Sequence, residues 1–368
     1  MIRDDSQSSP PLGSSGSSPR KRSALEKLGW QPFFAQQTSV EVIAEMPPVR
    51  IIEVHRNGLH ALGDGFDVLI PPGPAAIVGD WLLLNQSQPA SSEVLQRKSL
   101  FKRRAPDTGR GVQLIAANVD TAFIVSSCNQ DFNVARLERF FALAFEADVI
   151  PVLILTKADL CDDPAPYLDA ASAISQRVSV ILLNALSDEP QAKLRDWCGP
   201  GQTVAFLGSS GVGKSTLVNA LFGDQAVVTA PIREDDSKGR HTTTRRQLYF
   251  LPNGCAVLDT PGMRGLQLAG TQEGIADVFE DVFALVEQCR FNDCKHETEP
   301  GCAILAALKA NTLDQARLDR WNKLVAEERF NSASLAQRKS DDKSLHKTIR
   351  AIQKKSGKKR SSQKKNKK

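Results

Sequence analysis

No apolar run in this 368-residue chain approaches the roughly 20 residues needed to cross a bilayer. Its start also lacks the basic, then apolar, then small-residue order of a secretory signal. A cytoplasmic protein without a membrane partner is expected. Cysteine is scarce: seven residues, an odd number scattered along the chain, argue against a secreted disulfide framework and fit a reducing compartment. Coiled-coil heptads are absent, which favours a monomer. Acids are missing from residues 351–368, where nine Lys or Arg accumulate. The formal charge of +5 therefore resides in the tail, and the chain without it is net acidic. Such a run repels itself, so 346–368 is expected to be disordered and free to meet nucleic-acid phosphate. A merely solubilising tail would have the same composition.

The length and the 41% hydrophobic content suit about two to three domains with separate cores. Residues 1–45 are expected to be a disordered arm and linker, since Ser, Pro and Gly dominate the first 25. In 46–108, short β-rich runs alternate with turn signals: Val49–His55, Asn57-Gly58, Phe66–Ile70, Pro71-Pro72-Gly73 and Val78–Leu84. This spacing predicts a small β-barrel, of the oligonucleotide-binding type or another five-stranded kind. In 109–285 apolar strands alternate with helical stretches, the texture of a mostly parallel sheet covered by helices. The strand candidates are Thr121–Val125, Val149–Leu155, Val178–Leu183, Thr203–Leu207 and Cys255–Leu258. Between the first two, Leu137, Phe140, Phe141, Ala144 and Phe145 recur at helical spacing and form a core stripe. A cysteine-bearing segment and the helix-prone stretch Leu305–Glu328 fill 286–345. The fold class expected is multidomain α/β.

Gly208-Ser209-Ser210-Gly211-Val212-Gly213-Lys214-Ser215 has the form G-x-x-x-x-G-K-[ST], follows an apolar strand and opens a helix-prone segment continuing through Thr216. Its glycines let backbone N–H groups turn inward around phosphates. Lys214 is placed to reach the β and γ oxygens and Ser215 to ligate Mg²⁺, while the helix N-terminus adds a favourable field. Asp259-Thr260-Pro261-Gly262 has the form D-x-x-G: Asp259 can reach Mg²⁺ through water, and the Gly262 N–H can sense the γ-phosphate. Thr156-Lys157-Ala158-Asp159 has the form [NT]-K-x-D. A carboxylate at Asp159 can accept both the ring N–H and the exocyclic amine of guanine, whereas adenine would leave it unpaired. In an ordinary GTPase the phosphate loop comes first and the base-reading motif late; here Asp159 precedes Lys214. A circular permutation preserves the sheet if the old ends were close and the new opening lies in an exposed connection.

Cys289, Cys294, His296 and Cys302 follow the pattern C-x₄-C-x-H-x₅-C. Three thiolates and one imidazole favour a tetrahedral Zn²⁺, and a filled protein shell makes that ion structural. Cys128, Cys161, Cys198 and Cys255 lack such neighbours and read as core or incidental.

The permuted order, Gly239-Arg240-His241-Thr242-Thr243-Thr244, Asp259–Gly262 and the Cys/His cluster together resemble the ribosome small-subunit-dependent GTPase A (RsgA) family. Val78-Gly79-Asp80-Trp81 and Gln113–Asp120 extend the resemblance over about residues 46–330. It implies an oligonucleotide-binding barrel, a permuted GTPase and a zinc domain, acting with GTP in late maturation of the small ribosomal subunit on its rRNA. Two departures stand out: Thr156 replaces the usual Asn, and Asn184-Ala185 stands where Ser-Ala commonly supports the base. A third lack concerns hydrolysis, because Met263 occupies the place where many GTPases carry a water-orienting Gln. His241 is the favoured substitute, with Arg240 or a group from the RNA partner as rivals; Thr243, or its neighbours Thr242 and Thr244, is expected to supply the switch hydroxyl. A phosphate-loop ATPase or kinase, and an RNA-binding scaffold that holds GTP without hydrolysis, are the competing classes.

Overall fold

The computed structural model describes residues 22–104, 112–223, 246–259 and 270–332. The first described elements are three short helices, α1 (Ala24–Lys27), α2 (Pro32–Ala35) and α3 (Val40–Glu45). Ser23 and Glu26 form a reciprocal capping box on α1, Pro32 opens α2, and Ser39 caps α3. The arm and linker expected through residue 45 is thus corrected over 24–45. Trp30 and Phe34 pack on Trp81, with ring centroids 4.8 and 5.9 Å away, in a cluster with Leu83 and Leu95. Anchors some fifty residues from their partner leave no local periodicity to read.

β1 (Pro48–His55), β2 (Gly58–Gly63) and β3 (Phe66–Ile70) form an antiparallel meander. β4 (Trp81–Leu83) pairs with the other side of β1, and β5 (Glu93–Val94) with β4. Val49, Ile51, Leu59, Ala61, Ile70 and Leu82 share one core on this sheet. Its strand order is β3-β2-β1-β4-β5, and among the described residues no pairing of β3 with β5 closes a ring. The last two strands are only three and two residues long, so the expected five-stranded barrel is seen as an open sheet among the described residues. A separate ribbon, β6 (Leu100–Arg104) with β7 (Val112–Ala117), leads onward.

The α/β region contains β8 (Thr121–Ser127), α4 (Val134–Glu146), β9 (Ile150–Thr156), α5 (Ala165–Ser172), β10 (Ser179–Leu182), α6 (Glu189–Lys193), β11 (Thr203–Gly208), α7 (Lys214–Phe222), β12 (Arg246–Phe250) and β13 (Ala256–Asp259). These strands are ordered β10-β9-β8-β11-β13-β12; the first five run parallel and β12 is antiparallel to β13. Strands buried on both faces need continuous apolar runs, and β8 and β9 have them: every residue of β8 and all but the first of β9 are buried. The N-terminal sheet continues this one, because Glu53 and Val54 of β1 pair with Gln247 and Arg246 of β12.

α8 (Gln272–Val278), α9 (Glu280–Val286), α10 (Ala303–Lys309) and α11 (Gln315–Ser332) complete the described chain. The single helix-prone stretch 305–328 is two helices, separated by a turn in which Asn311 takes φ +56°. α8 lies directly on α4: a Cβ on Gly274 would fall 2.0 Å from the Ala142 carbonyl oxygen, so only glycine permits this approach. The predicted stripe on α4 is the floor of this contact, with Leu137, Phe140, Phe141 and Ala144 buried.

Two buried charges tie the regions together. Glu138 on α4 is fully buried and accepts hydrogen bonds from Arg317 (3.0 Å) and Arg320 (2.9 and 3.0 Å) on α11. Arg50 of β1, also buried, donates to the Leu28 and Asn118 carbonyls and, at 2.7 Å, to Thr203 Oγ1 at the start of β11. Burial pulls the Arg50 guanidinium down to about 10, against the opposing charge of Asp120. Removing one member of such a set leaves the others buried and unpaired. Arg50→Ala is therefore expected to lower the free energy of unfolding by about 3 kcal/mol, read from the midpoint of urea denaturation at unchanged slope.

Candidate nucleotide site and metal centre

β11 ends at Gly208, between β8 and β13, and the chain turns there into the loop that opens α7. A side chain at Gly208 is impossible: its φ is +142°, and a Cβ would lie 2.3 Å from the Val125 carbonyl oxygen. Gly211 and Gly213 also have positive φ, at +76° and +96°, so the loop takes the glycine-dependent curl that points amides inward. Lys214 folds over it, its Nζ donating to the carbonyls of Gly208, at 3.0 Å, and Ser209. Ser215 and Thr216 follow in the first turn of α7.

β9 delivers the base-reading motif to the same edge. Register pairs Ser127 of β8 with Thr156 of β9, and Val125 of β8 with Gly208 of β11, so both motifs leave the carboxyl ends of parallel strands separated only by β8. They also touch. The Thr156 hydroxyl, fully buried, lies 2.6 Å from the Val212 carbonyl oxygen inside the phosphate loop and 3.1 Å from that of Ser126. Thr156 thus ties the end of β9 to the loop with a hydroxyl where the resemblance calls for an amide. Lys157 takes the left-handed conformation at φ +60°, and the turn Ala158–Leu160 presents Asp159 at the surface.

The loop after β10 lies beside it, and the Asn184 departure is accommodated there. Asn184 Oδ1 accepts the Leu186 N–H at 2.9 Å, while the Asn184 N–H donates to Glu189 Oε2 at 2.9 Å. Glu189 is in turn held by Lys193 at 3.0 Å. The Asn184 amide, then Lys193, hold the Glu189 carboxyl below the usual carboxylate range. Its contribution is complete above the ordinary carboxylate range and is lost as pH falls through the lowered value. Sequence reasoning missed Glu189, and likewise Arg136, whose Nη1 donates to Ser209 Oγ at 2.6 Å. The spacing Glu189–Lys193 was a visible helical pair, but its target across the loop was not.

β13 brings Asp259 beside the loop strand, since Ala205 pairs with Leu258. The Asp259 side chain, Gly262, Met263, Arg240, His241, Thr242, Thr243 and Thr244 lie outside the described residues.

The four metal-ligand candidates converge. Ligand atoms of Cys289, Cys294, His296 and Cys302 all lie within 4.8 Å of one another. His296 Nδ1 is 3.6 Å from Cys289 Sγ and 3.4 Å from Cys302 Sγ. A tetrahedral ion with Zn–S about 2.3 Å and Zn–N about 2.0 Å needs such separations, so the donor set and its spacing fit one zinc ion. The connecting loop is fastened by Glu299, which accepts the amides of Lys295, Glu297 and Thr298 at 2.9–3.0 Å. These amides, Lys295 foremost, push its carboxyl down to about 2. Behind the cluster, Trp321 of α11 stands 6.1 Å from the His296 ring, linking the centre to the helix that grips Glu138. Among the described residues, Cys128, Cys198 and Cys255 are buried and Cys161 is partly so.

Two outcomes test these assignments. Asp159→Asn is expected to weaken guanosine triphosphate binding by at least about tenfold and to improve xanthosine triphosphate, because the amide donates where the carboxylate accepted; competition titration reads both. Cys294→Ser is expected to abolish stoichiometric zinc in metal analysis and lower the melting temperature, since a structural ion contributes its binding free energy to folding.

Comparison with known proteins agrees with this arrangement. The family model described as RsgA GTPase matches residues 94–269. The chain is 46% identical over 331 residues to a protein of Vibrio parahaemolyticus named small ribosomal subunit biogenesis GTPase RsgA 2, covering 89% of this chain and 92% of that one. A Mesorhizobium japonicum protein named small ribosomal subunit biogenesis GTPase RsgA is 47% identical, covering 84% and 91%. Among solved structures, YjeQ from Thermotoga maritima superimposes with a TM-score of 0.56 at 23% identity, over 76% of this chain and 97% of that one. YloQ, described as a circularly permuted GTPase, gives 0.54 at 23% identity, over 78% and 97%. With base-reading and phosphate motifs in reversed order on one sheet, and with this similarity along most of its length, the chain belongs to the RsgA GTPase family.

Proposed function

We propose that this GTPase acts in late maturation of the small ribosomal subunit, hydrolysing GTP to GDP and phosphate while bound to ribosomal RNA. The observation that supports the nucleotide reading is the Thr156–Val212 contact, which brings the base-reading motif against the phosphate loop. In that site the loop amides and Lys214 would hold the β and γ phosphates, Ser215 would ligate Mg²⁺, Asp259 would reach it through water, and Asp159 would select guanine. Mg²⁺, when bound, neutralises charge on the transferring phosphoryl group. Thr243, or Thr242 or Thr244, would supply the switch hydroxyl to Mg²⁺ and the γ-phosphate, and His241 would orient the attacking water in place of the missing glutamine. The names of the relatives support the ribosomal role. The N-terminal sheet, the zinc-bearing module and the basic tail supply RNA contacts, and the protein works as a cytoplasmic monomer. No described helix is long and apolar enough to cross a membrane.

Ordering of the switch by the RNA partner can supply several kcal/mol to the transition state. Turnover is therefore expected to be slow for the protein alone and to rise at least about tenfold with purified small subunits, with stimulation falling steeply as salt increases. Phosphate release measured with and without subunits checks this. Equal rates in both would overturn the partner-stimulated reading, and absence of release in both would leave a GTP-holding scaffold.

A further inference from the structure

One residue of the phosphate loop is gripped from two sides. The carbonyl of Ser209 accepts Lys214 Nζ, and its hydroxyl accepts Arg136 Nη1 at 2.6 Å. Arg136 is not part of the nucleotide-binding motifs; it lies in the first turn of α4, a helix started by Asn133, whose side chain accepts the Arg136 amide at 2.9 Å. Immediately after it the same helix is fastened to the C-terminal module. Glu138 takes hydrogen bonds from Arg317 and Arg320, Arg139 pairs with Glu327, and Glu146 accepts the Gly274 amide at 3.2 Å. Arg317 is itself fixed by the Val278 carbonyl at 2.8 Å, by Asp281 at 2.9 Å and by the face of Phe279, 4.3 Å away.

A side chain as long as arginine loses much rotamer freedom when it makes a single exposed contact, and such contacts are weak in isolation. This one is different in its backing, because the helix that carries it cannot rotate without disrupting a buried acid held by two guanidiniums. The loop it holds must keep its amides aimed at phosphate oxygens, where misplacement by about an ångström is costly. The positive charge of the Arg136 guanidinium beside that curl also adds to the field favouring the most highly charged nucleotide.

We propose that Arg136 is a positioning residue for the phosphate loop, and that docking of α11 on α4 holds it there, so that the C-terminal module sets how tightly the triphosphate is bound. This rests on the GTPase reading above and names a regulation of the same site. A partner that shifts α11 would thereby loosen or tighten the nucleotide from the far side of α4, independently of the switch segments.

The test uses the full-length, zinc-loaded protein. Arg136→Ala, Arg136→Lys, Ser209→Ala and Arg320→Gln are compared for affinity toward a non-hydrolysable GTP analogue and toward GDP, and for the ³¹P shifts of the bound phosphates. Arg136→Ala is expected to weaken the triphosphate analogue about fivefold, with a smaller effect on GDP, and to move the phosphate resonances; Arg136→Lys recovers part of both. Arg320→Gln is expected to reproduce part of the loss in the wild-type background and none of it in Arg136→Ala, with zinc content intact. Unchanged affinities and ³¹P shifts in Arg136→Ala would overturn the positioning role. Full additivity of Arg320→Gln with Arg136→Ala would overturn the link through α4. If Arg320→Gln proves unstable, Arg320→Lys with Glu327→Gln, at the partly exposed end of the contact, reads the same coupling. Failure of the wild-type protein to bind guanine nucleotides would instead refute the GTPase reading itself.

Discussion

The site depends on three adjacent parallel strands ending at one edge. β9, β8 and β11 are in register, and the buried Thr156 hydroxyl spans from the first of them to a carbonyl in the loop that leaves the third. Parallel pairing alone would bring the motifs near each other. The hydroxyl sets their relative position, and in a buried place an unpaired carbonyl would be expensive. That short contact holds the glycine-shaped loop and the end of β9, with Asp159 just beyond it, in one place.

Around this centre the other regions are attached by charge as much as by apolar packing. Arg50 enters from the N-terminal sheet and bonds to the first residue of β11, while β1 lengthens the main sheet at β12. From the opposite side, α11 reaches α4 through Glu138. Both links are buried and multiply hydrogen-bonded, the condition under which charges inside a protein specify one arrangement. β12 follows the segment containing Thr242–Thr244 in the chain and pairs with β13, which ends at Asp259, so the N-terminal sheet is hydrogen-bonded to the strand between these two motifs. The C-terminal module, by contrast, contacts the site through the helix behind the phosphate loop. The Cys/His cluster completes this module by joining the segment after α9 to α10, with Trp321 of α11 beside it.

The chemistry of the site was written locally, and so was legible. A phosphate loop needs its glycines and lysine within eight consecutive positions, a zinc knot needs donors at short spacing, and a strand buried on both faces needs an unbroken apolar run. Hence Gly208–Ser215, Cys289–Cys302 and the strands β8, β9 and β11 could be placed from the residues alone, as could the stripe on α4. Reading the order of two such motifs was enough to infer a permuted sheet.

What the chain order could not convey were pairings between distant residues of ordinary type. Trp30 and Phe34 fold the segment before β1 because Trp81 is there to receive them, and the few apolar residues around them show no period. Whether the five short strands expected from turn spacing meet along a seam depends on length and curvature, which alternation does not encode; among the described residues β3 and β5 are not paired. Arg50, Arg136 and Glu138 look like solvated charges in the sequence; burial or a partner across the fold makes them structural. The sequence by itself determined where the candidate groups for phosphate, guanine and zinc lie, because such motifs are written over a few consecutive residues. Only the tertiary structure decided how the modules grip the phosphate loop, because a long side chain's partner is set by three-dimensional packing and not by its neighbours in the chain.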